Sequence, residues 1–341
     1  MISKSSWHPL LLTLLLTTVE MKKFKVLITN PNVPRVAYDL LTQACDVVTN
    51  QGYGRNYTLE NIKGVDALFC DSQAKVDKEL LDVAGSQLKV IGTMSAGYNH
   101  IDLNELKSRD IKLGNTPVVL DEAVADVAMM LAMAASRRLT EGRRHIEQNT
   151  WPSDWDPQWM LGQDIAGSTI GIIGLGNIGQ SIAKRLKGFD VAKILYTGHR
   201  EKPEGKALGA EFVNLDTLNK NSDFIFVAAP LTNETNQMCN SDFFAKMKKT
   251  GVFINISRGQ LVDQEALISA LKNGEIFAAG LDVMTPEPLP ADSELLKLSN
   301  VVLTPHIGSA TLNTRNEMAR LTAQNILRGL GGEEMFTPVK L

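Results

Sequence analysis

The segment that most constrains this chain is Gly174-Leu-Gly-Asn-Ile-Gly179, because of what stands on either side of it. The apolar run Thr169-Ile-Gly-Ile-Ile173 precedes it and the helix-forming run Gln180-Ser-Ile-Ala-Lys-Arg-Leu186 follows. A bare GxGxxG string is a weak signal. Between a strand and a helix each glycine acquires a distinct role. Gly174 permits a tight turn, Gly176 lets a pyrophosphate approach the backbone, and Gly179 lets helix and strand pack closely. The positive end of the helix then faces the anion.

Around this turn the chain alternates strand-like and helical runs. Before it, Lys25-Val-Leu-Ile28, Ala67-Leu-Phe69 and Lys89-Val-Ile91 alternate with helical stretches at 36–41 and 78–84. From Ser168 onward, six more runs follow at 170–173, 193–196, 224–227, 252–256, 278–281 and 301–303. This βαβ rhythm predicts parallel sheets. The segment from Asp121 to Arg138 has apolar residues at helical spacing, with Asp121 as its expected N-cap. A closing helix is expected over 310–330. Trp151, Trp155 and Trp159 lie among Pro152 and Pro157, so their spacing cannot be one clean helix, and an ordered loop with aromatic anchors is expected there.

At 341 residues, the chain exceeds what one hydrophobic core usually organises, so two α/β domains are expected. A net charge of −3, from 35 basic and 38 acidic residues, gives no general attraction for nucleic acid or an anionic membrane. A small-molecule partner is expected instead. Cys45, Cys70 and Cys239 are odd in number and widely spaced, which points to inert thiols, with neither a disulfide framework nor a metal site. The run Leu10-Leu-Thr-Leu-Leu-Leu16 is shorter than the ~20 residues a membrane span requires. Residues 1–20 are read as an extension outside the fold of a cytoplasmic protein, organelle targeting being the alternative, and Met21-Lys-Lys-Phe24 as an ordinary second start.

Three late runs end in side chains that carry chemistry: 252–256 leads to Arg258, 277–281 through Asp282 to Glu287, and 301–303 to His306. Ligands of open α/β sheets bind beyond the carboxyl ends of the strands, so these residues are expected to converge. Their types suit reduction of a 2-oxo acid. Arg258 can hold a carboxylate in two-point fashion, His306 can supply a proton near neutral pH, and Glu287 on the other ring nitrogen would favour the imidazolium and fix the ring. Asp282 either faces the nicotinamide or caps a helix.

The strand at 193–196 continues as Tyr196-Thr-Gly-His-Arg-Glu-Lys202, with no acid where an NAD site would engage the ribose hydroxyls. His199, Arg200 and Lys202 can hold a 2′-phosphate instead, which predicts NADPH rather than NADH. Glu201 works against that preference.

These residues make the chain recognisable. It resembles the D-isomer-specific 2-hydroxyacid dehydrogenases, most closely the glyoxylate reductase/hydroxypyruvate reductase branch. The resemblance runs from about Lys22 to the C-terminus. It is carried by Met94-Ser-Ala-Gly97, Gly171-Ile-Ile-Gly-Leu-Gly-Asn-Ile-Gly-Gln180, Leu195-Tyr-Thr-Gly198, Phe253-Ile-Asn-Ile-Ser-Arg-Gly259, Ala279-Gly-Leu-Asp-Val283 with Pro286-Glu-Pro-Leu-Pro290, and Thr304-Pro-His-Ile-Gly-Ser-Ala-Thr311. It implies that Arg258, Glu287 and His306 are catalytic, and that the backbone of Ala96 and Gly97 meets the substrate carboxylate. It also implies that Asn177, Ile178, Pro230, Ile256, Asp282 and Gly308 touch the dinucleotide and that Ser309 approaches the substrate. The subunits would be homodimers in which Trp159 is a candidate contact with a partner's substrate.

The implied fold is a Rossmann dinucleotide-binding domain, residues 118–310, inserted in a flavodoxin-like substrate domain of residues 21–117 and 311–341. The closing helix would thus belong to the first domain. The implied reaction is NADPH-dependent reduction of glyoxylate to glycolate and of hydroxypyruvate to D-glycerate. Two rival readings share the motifs: a phosphoglycerate dehydrogenase, and a dinucleotide-sensing transcriptional co-repressor on the same fold. Turnover of the phosphorylated acid alone would select the first, and absence of turnover the second.

Overall fold

A computed structural model describes residues 23–48, 52 and 54–341. The apolar run 10–16 and the start at Met21 lie outside the described residues. Strands β1 (Phe24–Ile28), β2 (Cys45–Val48), β3 (Ala67–Cys70), β4 (Val90–Thr93) and β5 (Lys112–Gly114) form one parallel sheet in the order β2-β1-β3-β4-β5. That order is flavodoxin-like. Strands β6 (Thr169–Ile173), β7 (Lys193–Thr197), β8 (Ala210–Phe212), β9 (Phe224–Val227), β10 (Val252–Asn255), β11 (Ala278–Leu281) and β12 (Val301–Leu303) form a second parallel sheet in the order β12-β11-β10-β9-β6-β7-β8. This is the doubly wound dinucleotide-binding arrangement, reversing direction beside β6.

Both sheets are covered on both faces, which is why their central strands read as continuous apolar runs rather than alternating ones. Successive residues face opposite cores. Val26 and Ile28 join the cluster that continues between the sheets, whereas Leu27 packs into the outer cluster of the first sheet. Likewise Phe224 and Phe226 face inward while Ile225 and Val227 join the outer cluster of the second. The inner cluster bridges the domains through Met94, Leu120, Val124 and Met318.

The helix Asp121–Ser136 is buried along most of its length. Its N-cap is Leu120, which provides no side-chain cap, so the expectation that Asp121 caps it is corrected. Asp121 lies in the first turn, buried, where desolvation raises its pKa against the opposing effect of a hydrogen bond with Asn177. The closing helix Leu312–Leu330 is capped by the Thr311 hydroxyl, which accepts from the Thr314 amide. It packs on the helix Arg35–Ala44 and on β3, β4 and β5 of the first sheet. The chain therefore returns to where it began.

The Trp segment is non-helical, as expected from its prolines, but of its three tryptophans only Trp159 is an anchor. Trp151 is 65% and Trp155 88% exposed, so neither ring packs within its own chain. Trp159 is half-buried and meets His145 edge-on with ring centroids 5.5 Å apart.

Candidate active site

Arg258 leaves the carboxyl end of β10 through a turn built by a buried asparagine. The Asn255 side-chain amide donates to the Arg258 carbonyl at 2.9 Å, and its Oδ1 accepts from the Ser257 amide at 3.1 Å. The Ser257 hydroxyl donates to the Ala229 carbonyl, tying this turn to the end of β9. Arg258 Nη1 donates to the Ser257 carbonyl at 2.7 Å. Burial pulls the pKa of Arg258 down, and the nearby Glu287 carboxylate opposes that.

The Arg258 guanidinium reaches the loop after β4 so closely that a Cβ on Gly97 would lie 2.1 Å from Nη2. A side chain there would displace the arginine from this position. The loop is itself held: the Ser95 hydroxyl donates to the Gly97 carbonyl at 2.7 Å, and the Asn115 side-chain amide donates to the Ala96 carbonyl at 2.7 Å. Among the described residues, the amides of Ala96 and Gly97 have no protein acceptor. Two free donors and a guanidinium thus share one wall. Thr93 Oγ1 lies 3.0 Å from His100 Nε2, and burial first, then the Arg258 charge, pushes His100 down to about 4.

Asp282, at the end of β11, is 1% exposed and its carboxylate is engaged by one loop. Oδ1 accepts from the Thr304 hydroxyl at 2.6 Å and the Ile307 amide at 2.8 Å, and Oδ2 accepts from the Gly308 amide at 2.8 Å. The Asp282 carbonyl also accepts the His306 amide at 2.8 Å. Asp282 is therefore the organiser of the His306 loop, and it caps no helix. His306 takes a left-handed backbone conformation, φ +54°, an arrangement this dense bonding sustains.

The His306 ring is oriented from behind: its Nδ1 lies 2.8 Å from Glu287 Oε2, while Glu287 Oε1 accepts the Met284 amide at 3.0 Å. Burial pushes Glu287 upward, but these hydrogen bonds and the charges of His306 and Arg258 outweigh it and leave the carboxyl below its usual range. The carboxylate is thus ionised against the ring.

A cavity of about 290 Å³ lies between the two sheets. Of the residues the sequence assigned, Ala96, Gly97, Ile178, Ile256, Arg258, Asp282, His306, Gly308 and Ser309 line it. Glu287 stands behind His306 and does not. Neither does Trp159 of the same chain. Sequence reasoning missed Asp71, Gln73 and Arg315 on the opposite wall, and Asn255 beneath Arg258. No quoted motif marks Asp71, Gln73 or Arg315, which only the fold brings to the site, and Asn255 sits within the Arg258 segment without any sign of its hydrogen bonds.

The glycine turn has the geometry that a pyrophosphate site requires. Gly174 has φ +94°, and a Cβ there would sit 2.8 Å from the Ala229 backbone. A Cβ on Gly179 would lie 2.2 Å from the Gly174 carbonyl oxygen, whereas one on Gly176 would meet nothing within 4 Å. Gly174 and Gly179 are filled by the fold and Gly176 is open to a ligand. The helix Asn177–Leu186 begins at this point, with its first-turn amides directed at the opening. After β7, the turn at 198–202 is clasped by the buried Tyr196 hydroxyl, which accepts the Lys202 amide at 2.9 Å. His199 and Arg200 are exposed, Lys202 is half-buried, and none has an ion-pair partner among the described residues. Pro230 is exposed beside Leu231, whose carbonyl accepts the Asn99 side-chain amide at 3.0 Å across the cleft. Glu234, in the same loop, lies close enough to His199 to feel its charge, after its stronger bond to the Thr232 hydroxyl.

The family model for the D-isomer specific 2-hydroxyacid dehydrogenase NAD binding domain matches residues 129–308. This chain belongs to the D-isomer-specific 2-hydroxyacid dehydrogenases. It is 47% identical over 323 residues to glyoxylate reductase/hydroxypyruvate reductase of Mus musculus, covering 93% of this chain and 98% of the relative. The Homo sapiens relative of the same name is 51% identical over 281 residues, covering 82% and 85% respectively. A solved structure from Thermus thermophilus superposes with a TM-score of 0.86 at 37% identity, covering 93% of this chain and all of that one. The NADPH-dependent glyoxylate/hydroxypyruvate reductase of Sinorhizobium meliloti, solved with NADP and malonate, has a TM-score of 0.82 at 30% identity, covering 93% and 97%.

As a D-2-hydroxyacid dehydrogenase the chain is an NAD(P)-dependent oxidoreductase, which accounts for a glycine turn beside a cavity that Arg258 and His306 line. Among the described residues, no helix is long and apolar enough to cross a membrane, and no group of His, Cys, Asp and Glu is arranged to hold a metal ion.

Proposed function

We propose that this dehydrogenase reduces glyoxylate to glycolate and hydroxypyruvate to D-glycerate with NADPH, with His306 as the proton donor. One observation carries the reading: Arg258, the free amides of Ala96 and Gly97, and a carboxylate-backed His306 face one small cavity beside the glycine turn. The names of the mouse, human and Sinorhizobium relatives support the substrate pair.

The Ala96 and Gly97 amides and the Arg258 guanidinium bind and orient the acid, fixing its carbonyl relative to His306. The nicotinamide, when bound, supplies the hydride. As negative charge develops on the carbonyl oxygen, His306 Nε2 delivers a proton, and Glu287 stabilises the cation beforehand and holds the ring through Nδ1. The apolar side chains of Ile178, Ile256 and Val124 exclude water from the reacting face. Residues 118–310 act in this reading as the dinucleotide domain, and 21–117 with 311–341 as the substrate domain.

NADPH selection is supported by the missing acid after β7 and by unpaired His199, Arg200 and Lys202; Glu201 and Glu234 temper it. A cytoplasmic homodimer is supported by three buried free thiols and by exposed Met130, Met133, Leu139, Trp151 and Trp155; in this reading Trp159 would reach the partner's site.

The test is NADPH absorbance with glyoxylate, hydroxypyruvate and phosphohydroxypyruvate in turn, repeated with NADH. Turnover of the first two with higher kcat/KM for NADPH is expected, and Arg200→Asp should cut that preference by about ten- to a hundredfold. No turnover of either unphosphorylated acid would refute the reading.

A further inference from the structure

The cavity has a second arginine that the mechanism above does not use. Arg315 stands in the first turn of the closing helix, on the wall opposite the glycine turn. It is half-buried, its guanidinium has no hydrogen-bond or ion-pair partner among the described residues, and burial pulls its pKa down. The carboxylates that act on it from a distance are Asp71 and Asp282, and Asp282 is engaged by the His306 loop. Asp71, at the end of β3, also lines the cavity. It is held in place by the Asn30 side-chain amide at 2.8 Å and the Gln73 amide at 3.0 Å, which leave acceptor capacity on both oxygens.

A donor-only cation and an acceptor-only anion on the same wall match a group that both accepts and donates. A hydroxyl does this; an aldehyde hydrogen does neither, and a phosphate would meet repulsion from Asp71. We propose that Arg315 and Asp71 form the pocket for the substituent on C3 of the 2-oxo acid, Arg315 donating to the C3 hydroxyl of hydroxypyruvate and Asp71 accepting from it. This makes them specificity-determining residues for hydroxypyruvate over glyoxylate. The proposal rests on the reaction assigned above and names which wall of that site distinguishes its two substrates.

The experiment compares kcat/KM for glyoxylate and hydroxypyruvate in the wild type, Arg315→Gln, Arg315→Lys and Asp71→Asn. Loss of a hydrogen bond to a charged group should lower the hydroxypyruvate-to-glyoxylate ratio at least about tenfold in Arg315→Gln, through KM for hydroxypyruvate. Arg315→Lys should restore part of the ratio. Asp71→Asn should lower it too, and should raise use of phosphohydroxypyruvate relative to hydroxypyruvate. An unchanged ratio in both Arg315→Gln and Asp71→Asn, or parallel losses for the two acids, would overturn the assignment. Failure of the wild type to reduce either acid would instead refute the parent reading, and the pocket with it.

Discussion

The division of labour between the two oxygens of Glu287 is the tightest constraint at the scale of single residues. One oxygen is fixed by the Met284 amide, so the other meets His306 Nδ1 from a set direction. Glu287→Gln keeps the shape and removes the charge. In the reductive direction it should lower kcat about a hundredfold, because the ring loses the charge that backs it when it gives up its proton. A near-normal kcat would show that Glu287 only braces the loop. The convergence of Arg258, Glu287 and His306 was legible in the sequence because each follows an apolar run. Asn255 and Asp282 show the limit of that reading: their work lies in hydrogen bonds to loops nearby in space, and no periodicity records which way a side-chain amide or carboxylate turns.

Elements differ in how visibly they are written. The central strands of both sheets are buried on two sides and appear as unbroken apolar runs. The three strands missed, β2, β5 and β8, are all sheet edges, short and interrupted by charge as in Cys45-Asp-Val-Val48, Lys112-Leu-Gly114 and Ala210-Glu-Phe212. One exposed flank dilutes the pattern. Within the turn after β6 the glycines should separate experimentally. Gly179→Ala pushes a methyl against the Gly174 carbonyl and should cost about 1–3 kcal/mol of stability in urea unfolding. Gly176→Ala, facing open space, should leave the unfolding midpoint in place and weaken dinucleotide binding measured by titration calorimetry. Equal stability losses would show that Gly176 serves packing after all.

For the whole molecule, acid sensitivity has an identifiable source in the loop after β4. His100 is neutral in the fold, pushed down to about 4 from an ordinary value of 6.5. Above the ordinary value both folded and unfolded chains carry it neutral and its contribution is intact. As pH falls towards about 4 the unfolded chain takes up a proton that the fold refuses, so stability is lost progressively. The shift corresponds to about 3 kcal/mol. Wild type should therefore lose about that much more stability than His100→Gln between neutral pH and about pH 4, measured by urea unfolding. Identical losses would assign the acid sensitivity elsewhere.

The bonds from Ile307 and Gly308 to Asp282 also bear on how the cleft can open. The amide of Gly308 is fixed to the second sheet, and the closing helix on the first sheet begins at Leu312. Only Ser309, Ala310 and Thr311 lie between, a tether that spans on the order of 10 Å when fully extended. At this corner the two walls cannot draw apart freely. Any rotation of one sheet away from the other would therefore be smallest at this corner and widest at the rim farthest from His306.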